Sequence, residues 1–412
     1  MINLSKIVTR KNKLYCYIEV PDSLKRYFNE NIFFAEYEFN LKKIPYQFLV
    51  IPVISNLIQI AWAAGVNIKL EKVDGRFLES LGDIKKVFKS WYPKLSFKTN
   101  LVYEKKIDYQ IGGTNSLQLY SGGIDTTASY LKNKADYPKL IVIDLEPAAI
   151  HPEILEIAKN RHNKGHIVRS NLYSLINRGN LDRDFGQYIE GSWWGGFQHG
   201  MGLLGLAAPI SIYEKARKII IAATHDQSLK IPWGSDPEID NKVSWADLHC
   251  LHDGYEYSRQ QKIFNIRDSI IKNNEFPLLM VCNSYAREKN KYNCSRCAKC
   301  AQAILGLLVA SIDPGKCGFN VTKNTFDWIK ESLESMTFFA RKSDYWTWED
   351  MHKNLKKYYR DLSSIIEGDL LFLDWFKNID LTYDDYFNKT AVMTNRPSYK
   401  LVKKEDDYFL VD

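Results

Sequence analysis

Between Leu117 and Ala223 short apolar runs alternate with segments of helical periodicity, and this alternation constrains the fold more than any other feature. Apolar runs of this length suit buried strands, and the segments between them suit crossover helices. The order predicts an α/β fold with a Rossmann-like, mostly parallel sheet covered by helices on both faces. The predicted strands are Leu117–Tyr120, Leu140–Leu145, His166–Ser170 and Lys218–Ala223, and the predicted helices are Thr126–Asn133, Pro152–Asn160 and Gly202–Ala216.

The regions on either side of this alternation differ from it in pattern. Residues 1–112 mix strand and helix signals and predict an N-terminal α+β domain, with a boundary at Gly112-Gly113. Residues 113–320 form the predicted α/β domain, and residues 321–412 are aromatic, charged and predicted to be helical, with an acidic tail. The N-terminal predictions are strands at Lys13–Val20, Ile32–Phe39, Asn67–Leu70 and Ser96–Tyr103, and helices at Tyr46–Ala63 and Phe77–Trp91.

The segment LQLYSGGIDT contains a strand, a glycine turn and the start of a helix. Glycines let the backbone approach an anion closely, and the N–H groups that begin a helix can hold a phosphate. Asp125 is placed to coordinate a magnesium ion that bridges nucleotide oxygens, whereas the Walker sequence is absent. The alternative is an ordinary turn with a capped helix. The residues predicted here to bind ATP are Tyr120, Ser121, Gly122, Gly123, Ile124, Asp125 and Thr126, with Ser121 and Asp125 also predicted to be catalytic.

Four cysteines follow in one short segment with C-x11-C-x2-C-x2-C spacing. Four thiolates at such spacing suit one tetrahedral zinc ion, although an iron–sulfur cluster also takes four cysteines. Disulfides fit less well, because the N-terminus lacks the apolar core of a secretion signal and intracellular thiols stay reduced. The predicted metal ligands are Cys282, Cys294, Cys297 and Cys300, whereas Cys16, Cys250 and Cys317 are predicted to be core thiols.

The glycine turn resembles the Ser-Gly-Gly-x-Asp-Ser/Thr motif of the PP-loop ATP pyrophosphatases, with Thr126 in place of the more usual serine. Combined with the four cysteines, it is similar to the 7-cyano-7-deazaguanine synthases of the queuosine pathway, over about Ser116 to Ile312. The resemblance implies an ATP site at the turn and a structural zinc beside the substrate pocket. It also implies that ATP is cleaved to AMP and pyrophosphate to activate a carboxylate for attack by a nitrogen nucleophile.

The chain departs from that family in three respects. The gap between Cys282 and Cys294 is longer, LKIPWGSDPEIDNKVSW replaces a Tyr-Pro-Asp-Cys-Arg run, and about a hundred residues are added on each side. The resemblance therefore points to the wider synthase-like group. Some relatives in that group occur in bacterial anti-phage systems, where the reaction modifies a partner protein.

Further candidates lie at predicted strand ends and in loops, where ligands bind in such folds. Lys230 is predicted to stabilise transition-state charge and His225 to move a proton. Asp144 and Ser170 are predicted to bind ATP. Helix capping, core packing or solvation are the alternative roles of these side chains. The predicted substrate-binding residues are Trp194, His199, Asp226, Trp233 and Asp236.

Composition sets limits on the partners. The net charge of +7 permits an anionic substrate and does not require a nucleic acid. No apolar stretch reaches 18 residues, so we expect no membrane span and a cytoplasmic protein; a homodimer is left open. Two alternatives to the small-molecule enzyme remain: a tRNA-modifying PP-loop enzyme, and a non-catalytic nucleotide sensor that binds a partner.

Overall fold

The chain divides into two compact units. The computed structural model describes residues 1–145, 154, 165–282, 292–335, 337–338, 342–358, 370–379, 381, 400–404 and 407–411, so the predicted helix Pro152–Asn160 lies outside the described residues. We call the first unit the sheet unit; it comprises Met1–Ser121, Asn133–Ala223 and Ile231–Asp253. We call the second the helical unit; it comprises Gly122–Lys132, Thr224–Lys230 and Gly254–Asp412.

The strands are numbered along the chain. They are β1 (Ile2–Arg10), β2 (Lys13–Glu19), β3 (Ile32–Glu36), β4 (Ile68–Asp74), β5 (Leu101–Ile107), β6 (Asn115–Leu119), β7 (Lys139–Asp144), β8 (His166–Ser170), β9 (Ala216–Ala222), β10 (Leu229–Lys230), β11 (Ser244–Trp245), β12 (Leu248–Asp253), β13 (Lys400–Lys404) and β14 (Asp407–Val411).

The helices are numbered in the same way, and a π-helical segment at Trp193–Gln198 precedes α7. They are α1 (Tyr46–Leu49), α2 (Ile51–Ala64), α3 (Gly75–Trp91), α4 (Ile124–Asn133), α5 (Leu172–Leu175), α6 (Arg178–Phe185), α7 (His199–Leu206), α8 (Ala208–Tyr213), α9 (Pro237–Asp240), α10 (Arg259–Asn273), α11 (Ala298–Val309), α12 (Lys323–Glu334), α13 (Lys342–Tyr358) and α14 (Leu370–Asn378).

The sheet unit is built on a mixed, mostly parallel sheet of eleven strands in the order β11-β12-β9-β6-β7-β8-β3-β2-β1-β4-β5. Strands β12, β9, β6, β7 and β8 are parallel neighbours, as the alternation of strands and helices predicts. The N-terminal strands extend this sheet, because β3 pairs with β8 in antiparallel register, Ala35 opposite Ser170. The predicted α/β class is confirmed.

One long apolar helix anchors the N-terminal region in the core of the sheet unit. Helix α2 is buried over nearly its whole length and ends at Gly65, whose φ of +71° suits glycine. It packs on α7, where Asn56 Nδ2 donates to the Gly202 carbonyl at 3.2 Å. A side chain at Gly205 would collide with Ser55, so the small residues of α7 permit this close approach. The N-terminal region therefore supports the segment that carries Trp194 and His199.

The helical unit packs α4, α10, α11, α12, α13 and α14 around its own apolar core. Buried residues from all six helices meet there, among them Ile263, Leu305, Phe326 and Trp348. A three-stranded sheet in the order β10-β14-β13 completes the unit. Among the described residues, none of the helices is long and apolar enough to cross a membrane.

Several predictions of individual elements need correction. The strand predicted at Ser96–Tyr103 begins later, as β5, and the helix predicted at Gly202–Ala216 is split into α7 and α8 before β9 begins. The chain end, predicted to be helical, forms β13 and β14; β-branched and aromatic residues in KLVKK and DYFLV favour strands. Strands β1, β11 and β12 and helix α10 were not predicted.

The two units also divide the chain differently from the predicted domains 1–112, 113–320 and 321–412. Residues of the first two predicted domains share one sheet, because β3 and β8 pair. Residues 113–320 are themselves divided between the sheet unit and the helical unit.

Candidate functional site

The turn between β6 and α4 contains two consecutive glycines and leads directly into a helix. Gly122 has φ of +76°, a conformation that side chains disfavour, and α4 begins two residues later. The Thr126 hydroxyl donates to the Gly123 carbonyl at 3.3 Å, and the Thr127 amide donates to the same carbonyl at 3.0 Å. The N–H groups at the start of such a helix and the helix dipole favour a bound phosphate.

Asp125, in the first turn of α4, contacts two cations of the helical unit. Arg259 Nη2 lies 3.0 Å from one carboxylate oxygen and Lys262 Nζ lies 3.4 Å from the other. Lys262 is only 2% exposed, and burial lowers its pKa while the Asp125 carboxylate opposes that change. The residue predicted to coordinate magnesium therefore lies between two positive charges.

Arg259 and Lys262 are the functional candidates that the sequence analysis missed. They lie on α10, whose start is fixed by a capping box in which Ser258 and Gln261 bond reciprocally. The capping signal Ser-x-x-Gln precedes an amphipathic segment and could have identified the helix. No local signal could have shown that Lys262 reaches Asp125, because the two are 137 positions apart.

Three predicted residues lie on the segment that runs from the end of β9 through β10. Asp226 is buried, and its Oδ1 accepts from the Ser228 amide at 2.8 Å and from the Ser228 hydroxyl at 2.6 Å. It is close enough to Lys262 to raise the pKa of that lysine. His225 is half-buried, whereas Lys230 is exposed on β10. Lys262, and not Lys230, is the lysine that contacts Asp125; the predicted catalytic roles of His225 and Lys230 stay predictions.

The predicted substrate residues Trp194, His199, Trp233 and Asp236 come from two segments that the sheet unit brings together. The Gly234 amide donates to the Gly195 carbonyl at 2.8 Å, and the Gly200 amide donates to the Gly234 carbonyl at 2.9 Å. Trp233 packs so closely on Gly195 that a side chain there would collide with its ring. The fifth predicted substrate residue, Asp226, belongs to the helical unit.

Half-buried aromatic rings surround Trp194. Its ring lies 5.2 Å from that of Tyr173 and 5.4 Å from that of His199, both edge-on. The Arg178 guanidinium lies 3.7 Å from the centre of the Tyr173 ring. Tyr173 follows β8 on α5, and therefore lies near the carboxyl ends of the parallel strands, where ligands bind in α/β sheets. Such a cluster can stack on a flat, anionic heterocycle.

Asp236 and the buried residues after it form a polar network in the sheet unit. Asp236 caps α9, accepting from the Glu238 amide at 2.8 Å, and burial raises its pKa to about 6. Asp240 Oδ2 lies 2.8 Å from His252 Nδ1 and accepts from the Ser235 hydroxyl at 2.7 Å. The capping contact gives Asp236 a structural role beside its predicted substrate contact.

Asp144 and Ser170 lie at the ends of β7 and β8. Both are buried, and the Ser170 hydroxyl donates to the Phe34 carbonyl of β3 at 2.9 Å. That contact holds two strands of the sheet together, so Ser170 has a structural function. Binding of ATP by these two residues stays a prediction.

The four predicted metal ligands converge in the helical unit. Their sulfur atoms all lie within 4.8 Å of one another, and the separations are 3.8 Å for Cys294–Cys300, 4.0 Å for Cys282–Cys297 and 3.5 Å for Cys297–Cys300. These distances are far longer than a disulfide bond and close to the edge of a tetrahedron around one ion. The cysteines could hold a metal ion such as zinc. In a [4Fe–4S] cluster each of the four thiolates binds its own iron atom, so the four sulfurs stand farther apart than around a single ion.

Backbone and side-chain hydrogen bonds shape this cysteine site. Asn293 Nδ2 donates to the Leu279 and Gly318 carbonyls at 2.9 and 3.1 Å, and its Oδ1 accepts from the Val281 amide at 3.0 Å. The Arg296 amide donates to Cys294 Sγ at 3.4 Å. Cys297 and Cys300 are set by the start of α11, where Cys297 is the N-cap. These hydrogen bonds orient the backbone segments that carry the cysteines.

The electrostatics of the thiols also favour a bound cation. Hydrogen bonds from neighbouring thiols, that of Cys300 first, lower the pKa of Cys297 to about 5. Burial raises the pKa of Cys294 to about 11, and the contact with Cys297 raises the pKa of Cys300. Four thiols so close cannot all ionise alone, whereas a coordinated cation deprotonates its thiol ligands.

The cysteine segment is bonded directly to the glycine turn. The Met280 amide, two residues before Cys282, donates to the Gly122 carbonyl at 2.7 Å. The Leu279 amide donates to the Cys317 carbonyl at 3.0 Å, so the segment is held from both sides. The backbone that leads to Cys282 is therefore hydrogen-bonded to the glycine turn.

Comparison of the chain with protein-family models, with curated proteins and with solved structures finds no match.

Proposed function

We propose that this protein is an adenylating enzyme of the PP-loop ATP pyrophosphatase type. ATP would be cleaved to AMP and pyrophosphate to activate a carboxylate or amide, in the first instance that of a 7-deazaguanine, for attack by ammonia or an amine. The observation that carries the proposal is the glycine turn at Gly122, followed by a helix whose Asp125 is flanked by Arg259 and Lys262. Backbone donors and two cations at one place suit a polyphosphate.

The chemistry assigned to the chain is charge stabilisation. A substrate carboxylate oxygen attacks the α-phosphorus of ATP, the bond to the bridging α–β oxygen breaks, and pyrophosphate leaves. Lys262 and Arg259 stabilise the charge that accumulates on the departing phosphates. The nitrogen nucleophile then attacks the acyl carbon, loses a proton, and AMP leaves. Mg²⁺ would neutralise phosphate oxygens, and Asp125 is the residue proposed to bind it.

The finer assignments rest on the resemblance together with the site. The sheet would be Rossmann-like, and zinc at the four cysteines would be structural, because four thiolates leave no position open for substrate. Within the sheet unit, Trp194 and Tyr173 are proposed to contact a flat ring such as a deazaguanine. The acceptor would be ammonia or an amine of a partner protein in anti-phage defence. We place the reaction in the cytoplasm, where ATP and reduced thiols coexist.

The test is pyrophosphate release by purified protein given ATP, Mg²⁺, ammonium and 7-carboxy-7-deazaguanine, with the product mass measured in parallel. Asp125→Ala should abolish turnover, whereas Asp268→Ala, which removes an exposed carboxylate from α10, should leave it unchanged. Formation of the amide or nitrile supports the full proposal. Pyrophosphate without that product keeps the adenylation and moves the acceptor to a protein or a tRNA. Binding of ATP without pyrophosphate release would contradict the proposal and favour a nucleotide sensor.

A further inference from the structure

Helix α13 lies beyond the part of the chain that resembles the synthases, yet it bonds to the start of the helix that carries the two cations. Asp350 Oδ2 accepts from the Gln260 amide at 3.1 Å. Its Oδ1 accepts from Asn354 Nδ2 at 3.0 Å, which fixes the carboxylate on α13. Asp350 thus supplies a negative charge and an acceptor at the N-terminus of α10.

The position of that N-terminus decides where the two cations lie. Arg259 is the first residue of α10 and Lys262 lies one turn further on, so both project from the part of the helix that Asp350 holds. Their contacts with Asp125, at 3.0 and 3.4 Å, require this turn of helix to stay formed. The first turn of a helix frays readily when its N–H groups lack acceptors.

A second residue of α13 reaches the other charged segment near Lys262. Trp346 Nε1 donates to the Ser228 hydroxyl at 3.3 Å, and that hydroxyl donates to Asp226 at 2.6 Å. Trp346 and Asp350 are four residues apart and so lie on one face of α13. One helix face therefore contacts both the start of α10 and the turn that carries Asp226.

We infer that α13 positions the nucleotide site, with Asp350 holding Arg259 and Lys262 in place and Trp346 holding the Asp226 turn. The part of this inference that concerns catalysis rests on the proposed function. Asp350 and Trp346 are positioning residues, because each acts through another side chain. The C-terminal region thereby becomes part of the catalytic apparatus, although the resemblance to the synthases does not extend to it.

The experiment compares Asp350→Ala, Asp350→Asn and Trp346→Phe with Asp327→Asn, a control that removes an exposed carboxylate from α12. Asparagine keeps an oxygen that can accept from the Gln260 amide, and phenylalanine keeps a large ring but loses the Nε1 donor. The first readout is hydrogen–deuterium exchange of peptides covering Arg259–Ile263, which needs no nucleotide. The second is steady-state pyrophosphate release, with KM for ATP and KM for ammonium measured separately.

We expect Asp350→Ala to speed exchange in the first turn of α10 about tenfold and to raise KM for ATP about tenfold, with KM for ammonium unchanged. Asp350→Asn should return both values to within about threefold of the natural protein, since asparagine is an equally good acceptor at a helix start. Trp346→Phe should raise KM for ATP about threefold without speeding exchange in α10, since the Trp346 hydrogen bond holds the Asp226 turn.

Unchanged exchange in Asp350→Ala would overturn the inference, whether or not the protein acts on ATP. Faster exchange with an unchanged KM for ATP would overturn the role of Asp350 in positioning the nucleotide site and would leave it a purely structural contact. If the natural protein releases no pyrophosphate, the proposed function fails, and the exchange data still decide whether Asp350 orders α10. If Asp350→Ala fails to fold, Trp346→Phe tests the inference through its own contact, and a KM for ATP no higher than that of Asp327→Asn would overturn the role assigned to α13.

Discussion

Replacing Cys300 by serine should remove a zinc ion and destabilise the helical unit. Three of the six sulfur separations are 3.5 to 4.0 Å, and all six are within 4.8 Å. In a regular tetrahedron, edges of 3.5 to 4.0 Å place the centre about 2.1 to 2.4 Å from each corner, a range that includes the Zn–S bond of about 2.3 Å. Binding at such sites contributes directly to folding, about 10 kcal/mol or more in isolated zinc fingers. The helical unit has a large core of its own. We therefore expect a smaller loss of unfolding free energy for Cys300→Ser, about 4 kcal/mol.

The assay combines metal analysis of purified protein with X-ray absorption at the zinc edge and urea unfolding. We expect one zinc per chain with sulfur ligands alone in the natural protein and in Cys317→Ser. This control replaces a buried thiol outside the cluster and should cost only about 1–3 kcal/mol. Because the Met280 amide bonds to Gly122, chelation should also weaken ATP binding. Stoichiometric iron with acid-labile sulfide, or natural protein that is folded and free of metal, would refute the reasoning.

Three further predictions concern side chains that the fold buries. Lys262→Met should lower kcat/KM for ATP by about 10²–10³. It should also lower the urea-measured unfolding free energy by about 3 kcal/mol, because it removes one partner of a buried charge pair. Equal losses in the exposed control Lys272→Met would contradict this. Burial raises the pKa of Asp236 to about 6, so the folded state binds the Asp236 proton more tightly than the unfolded state does. The contribution of this proton to stability is therefore full below about pH 4 and is lost as the pH rises through 6. Relative to Asp236→Asn, the natural protein should lose about 1–3 kcal/mol of unfolding free energy over that pH range. If the unfolding free energies of the two proteins instead depend on pH in the same way, the raised pKa does not belong to Asp236. Asn293→Ala should lower the urea-measured unfolding free energy by about 2–3 kcal/mol, because three backbone partners lose their hydrogen bonds. It should also increase the loss of zinc to a chelator. Unaltered zinc retention would exclude a role for this side chain in shaping the site.

The parts of the fold that follow from local pattern were predictable. The strand predicted at His166–Ser170 coincides with β8, and the strand at Lys13–Val20 exceeds β2 by one residue, because apolar periodicity is a local property. The cysteine site was also predictable, since three of its ligands lie within seven residues. Sheet order was not, because the pairing of β3 with β8 joins distant parts of the chain and leaves no local signal.

The candidate site divides in the same way. The glycine turn is visible in sequence because its backbone conformation demands glycine at Gly122. Its two cations are not visible, because a lysine on an amphipathic helix looks the same whether it faces solvent or a carboxylate. Ser170 is the reverse case, a predicted site residue whose observed contact is structural. A serine at a strand end can face a ligand or a neighbouring strand, and here its hydroxyl donates to the Phe34 carbonyl of β3.

The antiparallel pairing of β3 with β8 limits how this chain can be divided by evolution or by an experimenter. A fragment beginning after residue 112 would expose the backbone edge of β8, and Asn171 would lose its bonds to the Phe34 amide and the Ile32 carbonyl. An open edge beside buried parallel strands is a template for aggregation. The N-terminal strands therefore act as the cover of that edge, and recombination that inherits the glycine turn and the cysteines must inherit the first hundred residues with them.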